Sequence, residues 1–386
     1  MRRACLVIAM LAVALTFSGC KLAGSLDEFL DSPGAQPSSA RTALPGADID
    51  PPTLYKRVAP SVVTVISEFG SIGESGEVGL GTGFVIGDGK TVVTNAHVVT
   101  NELDDHKRAE AVNLQLENGE RVSVEIAGVD PHADIAVLRT EKRVARKPLK
   151  FSRAAAGIGA PVMALGSPLG ETYTMSVGYV TGVGRKIFGL AGFRIYGAIQ
   201  TDAVITMGNS GGPLVNAEGE VIGVNGQILS VGGGGEGLGF AIPAELVSRS
   251  ARTLARGDKV RYAYLGIEGK PLWRGIDEWE STLPDSPGVL IGNIRDGSPA
   301  DGVGLTEGTE EYSVAGSDMV LGGDVITAID GYKLKYNEQL GEALAHFRPG
   351  QRVTLSILTG NAPSKVEVTL GERPLLWPDP FEELFG

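Results

Sequence analysis

The chain has 386 residues and a formal net charge of −12, with 34 Lys and Arg residues against 46 Asp and Glu residues. An acidic protein of this kind is poorly suited to the phosphate backbone of nucleic acids, so we expect no nucleic-acid partner. Hydrophobic residues make up 42% of the chain, which excludes global disorder. The two cysteines and four histidines are too few for zinc fingers, iron–sulfur clusters or a disulfide scaffold.

The N-terminal residues have the layout of a secretory signal. Two arginines precede an apolar run over 4–17, and small residues follow up to Cys20. The run is too short to span a bilayer comfortably, which favours cleavage over a retained membrane anchor. Phe17–Cys20 resembles a bacterial lipobox, which implies that a signal peptide over 1–19 is removed and that Cys20 is lipidated. The mature chain would then hold no free thiol, which excludes a cysteine protease.

Residues 20–52 carry Ser, Pro, Ala and Gly without apolar periodicity, and we predict a lipid-anchored flexible tether. From there to Ile242 the chain alternates between short apolar runs and Gly, Asp or Asn, a pattern that predicts antiparallel β-barrels or a sandwich. The predicted strands are Val62–Ser67, Gly83–Ile86, Thr91–Thr94, Arg121–Ile126, Ile135–Arg139, Val162–Leu165, Met175–Val183, Gly197–Thr201, Gly212–Val215, Val221–Asn225 and Gly239–Ile242.

A helix predicted over 243–256 begins at a proline and stops before Gly257, and it closes a first domain over 53–257. A second domain is predicted over 262–372, with a helix at Asn337–His346, and a tail over 373–386 follows it. We assign no role to the segment Glu307–Leu321. The predicted strands of the second domain are Leu265–Glu268, Gly288–Ile294, Asp324–Ile329, Arg352–Leu358 and Val366–Leu370.

Three short segments carry the residue types of nucleophilic catalysis. His97 follows a predicted strand, Asp134 precedes one, and Ser210 lies in the glycine-flanked run Gly208–Leu214. A serine hydroxyl is a weak nucleophile, so it needs an imidazole to take its proton and a carboxylate to orient that imidazole. Each segment alone is common in structural roles. Together, in the order His, Asp, Ser, they match the chain order of chymotrypsin-like enzymes.

The segments around these residues resemble the HtrA (Deg) family of envelope serine proteases, and the second domain resembles its PDZ domain. The resemblance implies a mainly β chymotrypsin-like double barrel followed by a PDZ domain. It implies that His97 is the general base, Asp134 its orienting carboxylate and Ser210 the nucleophile, with the N–H groups of Gly208 and Ser210 as the oxyanion hole. The matching segments are Thr94–Val99, Asp134–Leu138, 200–203, Gly208–Leu214, Gly239–Pro243 and Tyr264–Ile267.

His132 competes with His97 for the role of base, because it lies two residues before Asp134. It follows Pro131 in a predicted turn and matches no motif, so we expect it to be solvated.

The substrate pocket is predicted from the residues that precede the nucleophile in chymotrypsin-like folds. None of these residues is acidic, so capture of Arg or Lys is not expected, and a small or medium apolar side chain fits better. Asp202 is expected to make a structural hydrogen bond. The strand that reaches Asn225 and Gly226 is expected to pair with an extended substrate. The predicted pocket residues are Val204, Ile205, Thr206 and Met207.

In the second domain, the resemblance implies that Tyr264, Leu265, Gly266 and Ile267 receive a C-terminal carboxylate of a bound peptide. It also implies a homotrimer assembled near Leu54–Ser61, with no metal or cofactor. The chain is therefore interpreted as a lipoprotein facing the periplasm or cell exterior, which cleaves unfolded or damaged proteins. Two alternatives remain: a PDZ-bearing chaperone or scaffold with a vestigial protease domain, and a regulatory protease with one dedicated membrane substrate.

Overall fold

The computed structural model describes residues 49–70, 77–101, 107–145, 147–167, 174–188, 194–206, 208–229 and 238–375. The predicted signal peptide, Cys20 and most of the tether lie outside these residues, as does the tail from 376 onward. Among the described residues, no helix has both the length and the apolar character needed to span a bilayer.

The first barrel is antiparallel and closes in the order β1-β2-β3-β8-β7-β6. Its strand β6 was not predicted, although its apolar and polar residues alternate as in a half-buried strand. Val112 and Leu114 of β6 are buried, and β6 closes the barrel by pairing with β1 and β7. The strands are β1 Val62–Phe69, β2 Glu77–Ile86, β3 Thr91–Thr94, β4 Thr100–Asn101, β5 Lys107–Arg108, β6 Ala111–Gln115, β7 Arg121–Asp130 and β8 Ile135–Arg139.

The second barrel is also antiparallel and closes in the order β10-β11-β14-β13-β12-β9. The sequence prediction of antiparallel barrels is therefore confirmed. Each predicted strand of this region overlaps an observed one, and several are longer than predicted. The strands are β9 Pro161–Gly166, β10 Thr174–Phe188, β11 Arg194–Thr201, β12 Pro213–Val215, β13 Val221–Leu229 and β14 Leu238–Pro243.

A shared apolar core joins the two barrels. Strand β8 divides its side chains by alternation: Ala136 and Leu138 pack inside the first barrel, while Ile135 and Val137 pack in the shared core. Met163 and Leu165 of β9 pack in the same core from the second barrel. Because both barrels contribute to one core, the loops at their junction are held in a fixed relation.

Two helices cover this core. Helix α1, Pro51–Val58, has Asp50 as its N-cap and buries Leu54 and Val58; its first two residues belong to the segment predicted as tether. Helix α2, Ala244–Leu254, lies within the predicted helix and packs on β8 and β13.

The second domain holds a sheet in the order β16-β17-β20-β22-β23, with β21 paired to β20. Helix α3, Leu340–Leu344, is shorter than predicted; Gln339 caps it, and Glu342 completes a capping box. The strands are β15 Ala263–Tyr264, β16 Ile267–Pro271, β17 Val289–Ile294, β18 Glu310–Val314, β19 Ser317–Leu321, β20 Val325–Ile329, β21 Tyr332–Lys333, β22 Arg352–Thr359, β23 Ala362–Thr369 and β24 Gly371–Glu372.

The segment Glu307–Leu321, to which the sequence assigned no role, contains the hairpin β18–β19. Its Met319 and Leu321 pack with Leu272 and Leu290 in a small apolar core separate from the main core of the second domain. The hairpin is therefore anchored to the sheet by its own buried contacts.

Candidate active site

His97 and Asp134 meet at the edge of the first barrel through two contacts. Nδ1 of His97 lies 2.8 Å from Oδ2 of Asp134, and the backbone N–H of His97 donates to Oδ1 at 3.0 Å. The Asp134 side chain is 2% exposed, whereas the His97 side chain keeps 12% of its surface exposed. The carboxylate therefore fixes both the ring and the backbone of His97, and the ring still reaches the surface.

A tight turn aims the Asp134 carboxylate. Pro131–Ala133 form a 3₁₀ turn, and Asp134 follows it with a φ of +52°, in the left-handed region. Such a conformation costs a non-glycine residue about 1–3 kcal/mol and persists only where surrounding contacts impose it. Here the Asp134 N–H donates to the Pro131 carbonyl at 3.1 Å, and the Asn95 side-chain amide donates to the Asp134 carbonyl at 2.8 Å.

Ser210 lies in a glycine-rich loop that enters β12. Gly208 and Gly211 have φ values of +95° and +84°, which side chains rarely adopt. The Thr82 hydroxyl donates to the Gly208 carbonyl at 2.6 Å, and the Thr82 N–H donates to the Ser210 carbonyl at 2.9 Å. Thr82, a residue of the first barrel that the sequence did not single out, therefore anchors the loop of the second barrel.

The serine loop and the histidine loop touch each other at Gly211. A Cβ atom placed on Gly211 would lie 2.1 Å from the Thr82 carbonyl oxygen and 3.0 Å from the Asn95 nitrogen. Only glycine allows this approach. Ser210, one residue before Gly211, is thereby brought beside the segment that carries His97, and its hydroxyl donates to the Gly226 carbonyl at 3.1 Å.

The residues predicted to form the substrate pocket fall into different environments. Val204 is exposed, whereas Ile205 is buried in the core of the second barrel; Met207 lies outside the described residues. Asp202 accepts a hydrogen bond from the Tyr179 N–H at 2.5 Å, as expected. The Asp202 carboxylate thus holds the segment that precedes the predicted pocket residues against strand β10.

Asn225 and Gly226 also differ from each other. Asn225 is fully buried: its backbone N–H donates to the Gly212 carbonyl at 2.8 Å, and its side chain donates to the Leu165 carbonyl at 3.0 Å. Its own carbonyl accepts from the Gly211 N–H at 2.9 Å. Asn225 therefore supports the serine loop from behind, while Gly226 contacts Ser210 directly.

The expectation that His132 is solvated was wrong. His132 is buried and packs edge-on against the Tyr262 ring, with ring centroids 5.1 Å apart. Burial, and second the positive charge of Arg373, lower the pKa of His132 to about 3. The residue that overturned the expectation, Tyr262, lies 130 positions further along the chain, so no local pattern signals the contact.

Tyr264–Ile267, the loop predicted to bind a peptide carboxylate, lines a groove in the second domain. Gly266 has a φ of +84°, and a Cβ atom placed on it would lie 2.1 Å from the Ser298 Cβ. Its carbonyl accepts from the Arg295 N–H at 2.9 Å, and the Leu265 carbonyl accepts from the Ala300 N–H at 2.9 Å. These bonds hold the loop in a shape that only glycine allows.

The groove is a cavity of about 920 Å³. Its lining includes Tyr264–Ile267, the rest of β16, and Leu340 and Leu344 of α3. Tyr196 of the second barrel also lines it and packs on α3, since a Cβ atom placed on Gly341 would lie 2.4 Å from its ring. The groove is lined by both apolar and charged side chains, and the barrel forms part of its boundary.

In the described part of the chain, no three His, Cys, Asp or Glu side chains are grouped so that they could hold a metal ion.

Comparison with known families divides the chain in two. The model of the trypsin-like peptidase domain matches residues 81–224, and the model of the PDZ domain matches residues 263–370. The first match includes His97, Asp134 and Ser210, and the second includes Tyr264–Ile267.

Curated relatives agree with this division. The chain is 33% identical over 299 residues to a probable periplasmic serine endoprotease DegP-like of Chlamydia trachomatis, which covers 76% of this chain and 54% of the relative. It is 32% identical over 299 residues to the periplasmic pH-dependent serine endoprotease DegQ of Escherichia coli, covering 76% and 59%. The chain thus spans a little over half the length of these relatives.

Solved structures extend the likeness to the fold. A structure of the HtrA-type protease AlgW with tripeptide superposes with a TM-score of 0.68 at 29% identity, covering 84% of this chain and 97% of the other. A serine endoprotease from Yersinia pestis superposes with a TM-score of 0.60 at 26% identity, covering 85% and 100%.

Proposed function

Because the chain belongs to the HtrA family, with a trypsin-like peptidase domain followed by a PDZ domain, we propose that it is a serine endopeptidase of the bacterial cell envelope. The observation that carries the proposal is the double contact between His97 and Asp134, together with the approach of Gly211 to Asn95. The contact between His97 and Asp134 supports their assignment as base and orienting carboxylate, and the approach of Gly211 to Asn95 supports a serine loop beside them.

The proposed mechanism assigns one step to each residue. Ser210 Oγ attacks the scissile carbonyl while Nε2 of His97 takes its proton and later returns it to the leaving amine. Asp134 keeps the proton of His97 on Nδ1 and stabilises the imidazolium that forms. The N–H groups of Gly208 and Ser210 stabilise the developing oxyanion, and the positive φ of Gly208 supports this orientation.

The substrates are proposed to be unfolded or damaged proteins of the envelope, cut after small or medium apolar residues. The absence of acidic residues from 204–207 supports this preference. The proposed location is supported by the relatives from Chlamydia trachomatis and Escherichia coli, which are periplasmic serine endoproteases. We further propose that lipidation of Cys20 tethers the protein to a membrane and that the active form is a homotrimer.

Replacement of the nucleophile tests the function. Ser210→Ala should lower cleavage of unfolded casein by at least about 10³-fold, because the attacking hydroxyl is lost. Ser364→Ala, which removes an exposed hydroxyl from the second domain, is the matched control and should cleave like wild type. Equal cleavage by wild type and Ser210→Ala would contradict the mechanism. An inactive wild type that still binds casein would favour the scaffold alternative.

The groove of the second domain is proposed to bind the C-terminus of a peptide, with Tyr264–Ile267 receiving its carboxylate. The apolar side chains of Leu340 and Leu344 favour an apolar last residue. A fluorescent peptide ending in Val-Val with a free carboxylate should therefore bind, and its C-terminal amide should bind about 10- to 100-fold more weakly. Fluorescence anisotropy measures both affinities. Equal affinities would place the recognition elsewhere on the peptide.

A further inference from the structure

Asp130 is a buried carboxylate at the start of the turn that leads to Asp134. Its side chain accepts a hydrogen bond from the Tyr262 hydroxyl at 2.7 Å and from the Ser250 hydroxyl at 2.6 Å, both on Oδ2. Its Oδ1 accepts from the Ala133 N–H at 3.3 Å. Burial raises the pKa of Asp130, and the hydrogen bonds from Ser250 and Tyr262 oppose that effect. We name Asp130, His132, Ser250 and Tyr262 the junction cluster.

The carboxylate of Asp130 acts on the backbone of the turn. Asp130 is the N-cap of Pro131–Ala133, and the next residue after this turn is Asp134 in its left-handed conformation. A shift of Asp130 would therefore be passed through three residues of fixed geometry to the carboxylate that holds His97. The Asn95 amide fixes the far end of the same turn.

Tyr262 comes from outside both barrels, from the segment that joins α2 to β15. Its ring is fixed on two sides: the Arg249 guanidinium lies 5.0 Å from the ring centroid, and His132 packs edge-on against it. Its backbone carbonyl accepts from the Arg373 N–H at 2.9 Å, where the chain leaves the PDZ domain. The Tyr262 ring is thus held by two residues of the first domain, and the Tyr262 backbone is held by Arg373.

We propose that Tyr262 is a positioning residue for Asp134, acting through its hydrogen bond to Asp130 and the turn Pro131–Ala133. This rests on the proposed serine protease function. The Tyr262 hydroxyl donates a hydrogen bond to the buried Asp130 carboxylate. The turn that follows Asp130 then holds the Asp134 carboxylate against His97. A complete active site therefore requires a side chain that lies beyond the peptidase barrels.

The test removes one hydroxyl and keeps the ring. Tyr262→Phe should lower kcat for a short peptide substrate by about 10- to 100-fold and leave KM unchanged, because the substrate does not contact the junction cluster. The matched control is Tyr332→Phe, which removes a 2.6 Å bond from a tyrosine to the Glu338 carboxylate inside the PDZ domain. The control should leave kcat unchanged.

A second readout follows the His97–Asp134 bond itself. The proton on Nδ1 of His97 should give a downfield NMR resonance in the full chain, assigned by its loss in His97→Gln. Tyr262→Phe should shift or broaden this resonance, and Ser250→Ala, which removes the other hydroxyl from Asp130, should change it in the same direction. Tyr332→Phe should not change it. Kinetics are measured at a temperature at which circular dichroism shows each variant folded.

The outcomes separate the two proposals. A Tyr262→Phe variant with wild-type kcat and an unchanged resonance overturns the positioning role even if Ser210 proves to be the nucleophile. A wild type that cleaves nothing overturns the proposed function, yet the resonance still tests whether Tyr262 positions the His97–Asp134 pair. Equal losses of kcat in Tyr262→Phe and Tyr332→Phe would assign the effect to general destabilisation and would also overturn the proposal.

Discussion

The candidate active site and the junction cluster each contain an aspartate and a histidine. Their aspartates, Asp134 and Asp130, lie at the two ends of the same turn. Each contains a buried aspartate that accepts several hydrogen bonds, and each has a histidine beside it. In the candidate active site, Asp134 contacts His97, whose ring keeps 12% of its surface exposed. In the junction cluster, Asp130 binds the hydroxyls of Ser250 and Tyr262, and His132 packs on an aromatic ring.

The difference shows that the neighbours of a histidine decide its chemistry. A carboxylate beside a partly exposed imidazole favours proton uptake, which a general base needs. Burial disfavours the charged form of an imidazole, and the positive charge of Arg373 adds to this effect, which explains the pKa of about 3 for His132. We therefore propose His97 as the base and assign His132 to packing, although a sequence pattern treats both as candidates for the base.

The strongest test of this comparison changes each aspartate to asparagine. Asp134→Asn should lower kcat by about 10⁴-fold, because an amide cannot hold His97 in the required tautomer or stabilise its charge. Asp130→Asn should lower kcat by only about 10- to 100-fold, since it disturbs the turn without touching His97. Steady-state kinetics with one peptide substrate measure both.

Equal effects of the two aspartate variants would break the distinction between the active site and the junction cluster. The thermal midpoint of unfolding, recorded for each variant, serves as the control for folding. A large shift in that midpoint for Asp130→Asn with unchanged kcat would restrict Asp130 to a role in stability.

A smaller effect is expected when His132 is replaced by glutamine. The folded state keeps His132 neutral down to about pH 3, whereas the unfolded chain takes up a proton near pH 6.5. Between these values the unfolded state binds more protons, so the free energy of unfolding falls as the pH falls. Wild type should lose about 2 kcal/mol more than His132→Gln between pH 7 and pH 5. Urea titration at both pH values measures this difference.

The control for this experiment is His346→Gln, which removes an exposed imidazole from the PDZ domain. If wild type and His132→Gln lose stability in parallel between pH 7 and pH 5, then His132 takes up a proton as readily in the folded state as in the unfolded chain, and the contrast with His97 fails.

Much of the fold could be predicted because its signals are local. The runs at Thr91–Thr94 and Ile135–Arg139 are strands as predicted, since apolar and β-branched residues mark them directly. The capped helix α1 and the hairpin β18–β19 were missed for a different reason. Their buried residues pack on partners far away in the chain, such as Leu54 in the shared core and Met319 beside Leu272.

The candidate site divides in the same way. His97, Asp134 and Ser210 could be proposed from the sequence because chemistry restricts their types and order. Thr82, Asn95 and Tyr262 could not be proposed from the sequence, because these residue types occur in many structural settings. Only their hydrogen-bond partners in the folded chain show what they hold in place.

By itself, the sequence determined the residue types available for catalysis, the strand-rich architecture and the family. Only the tertiary structure decided which histidine faces a carboxylate and which is buried, and that a tyrosine beyond the barrels donates a hydrogen bond to Asp130, the N-cap of the turn before Asp134. The physical reason is that pKa values, burial and hydrogen bonding depend on groups within a few ångströms, and folding supplies those groups from distant parts of the chain.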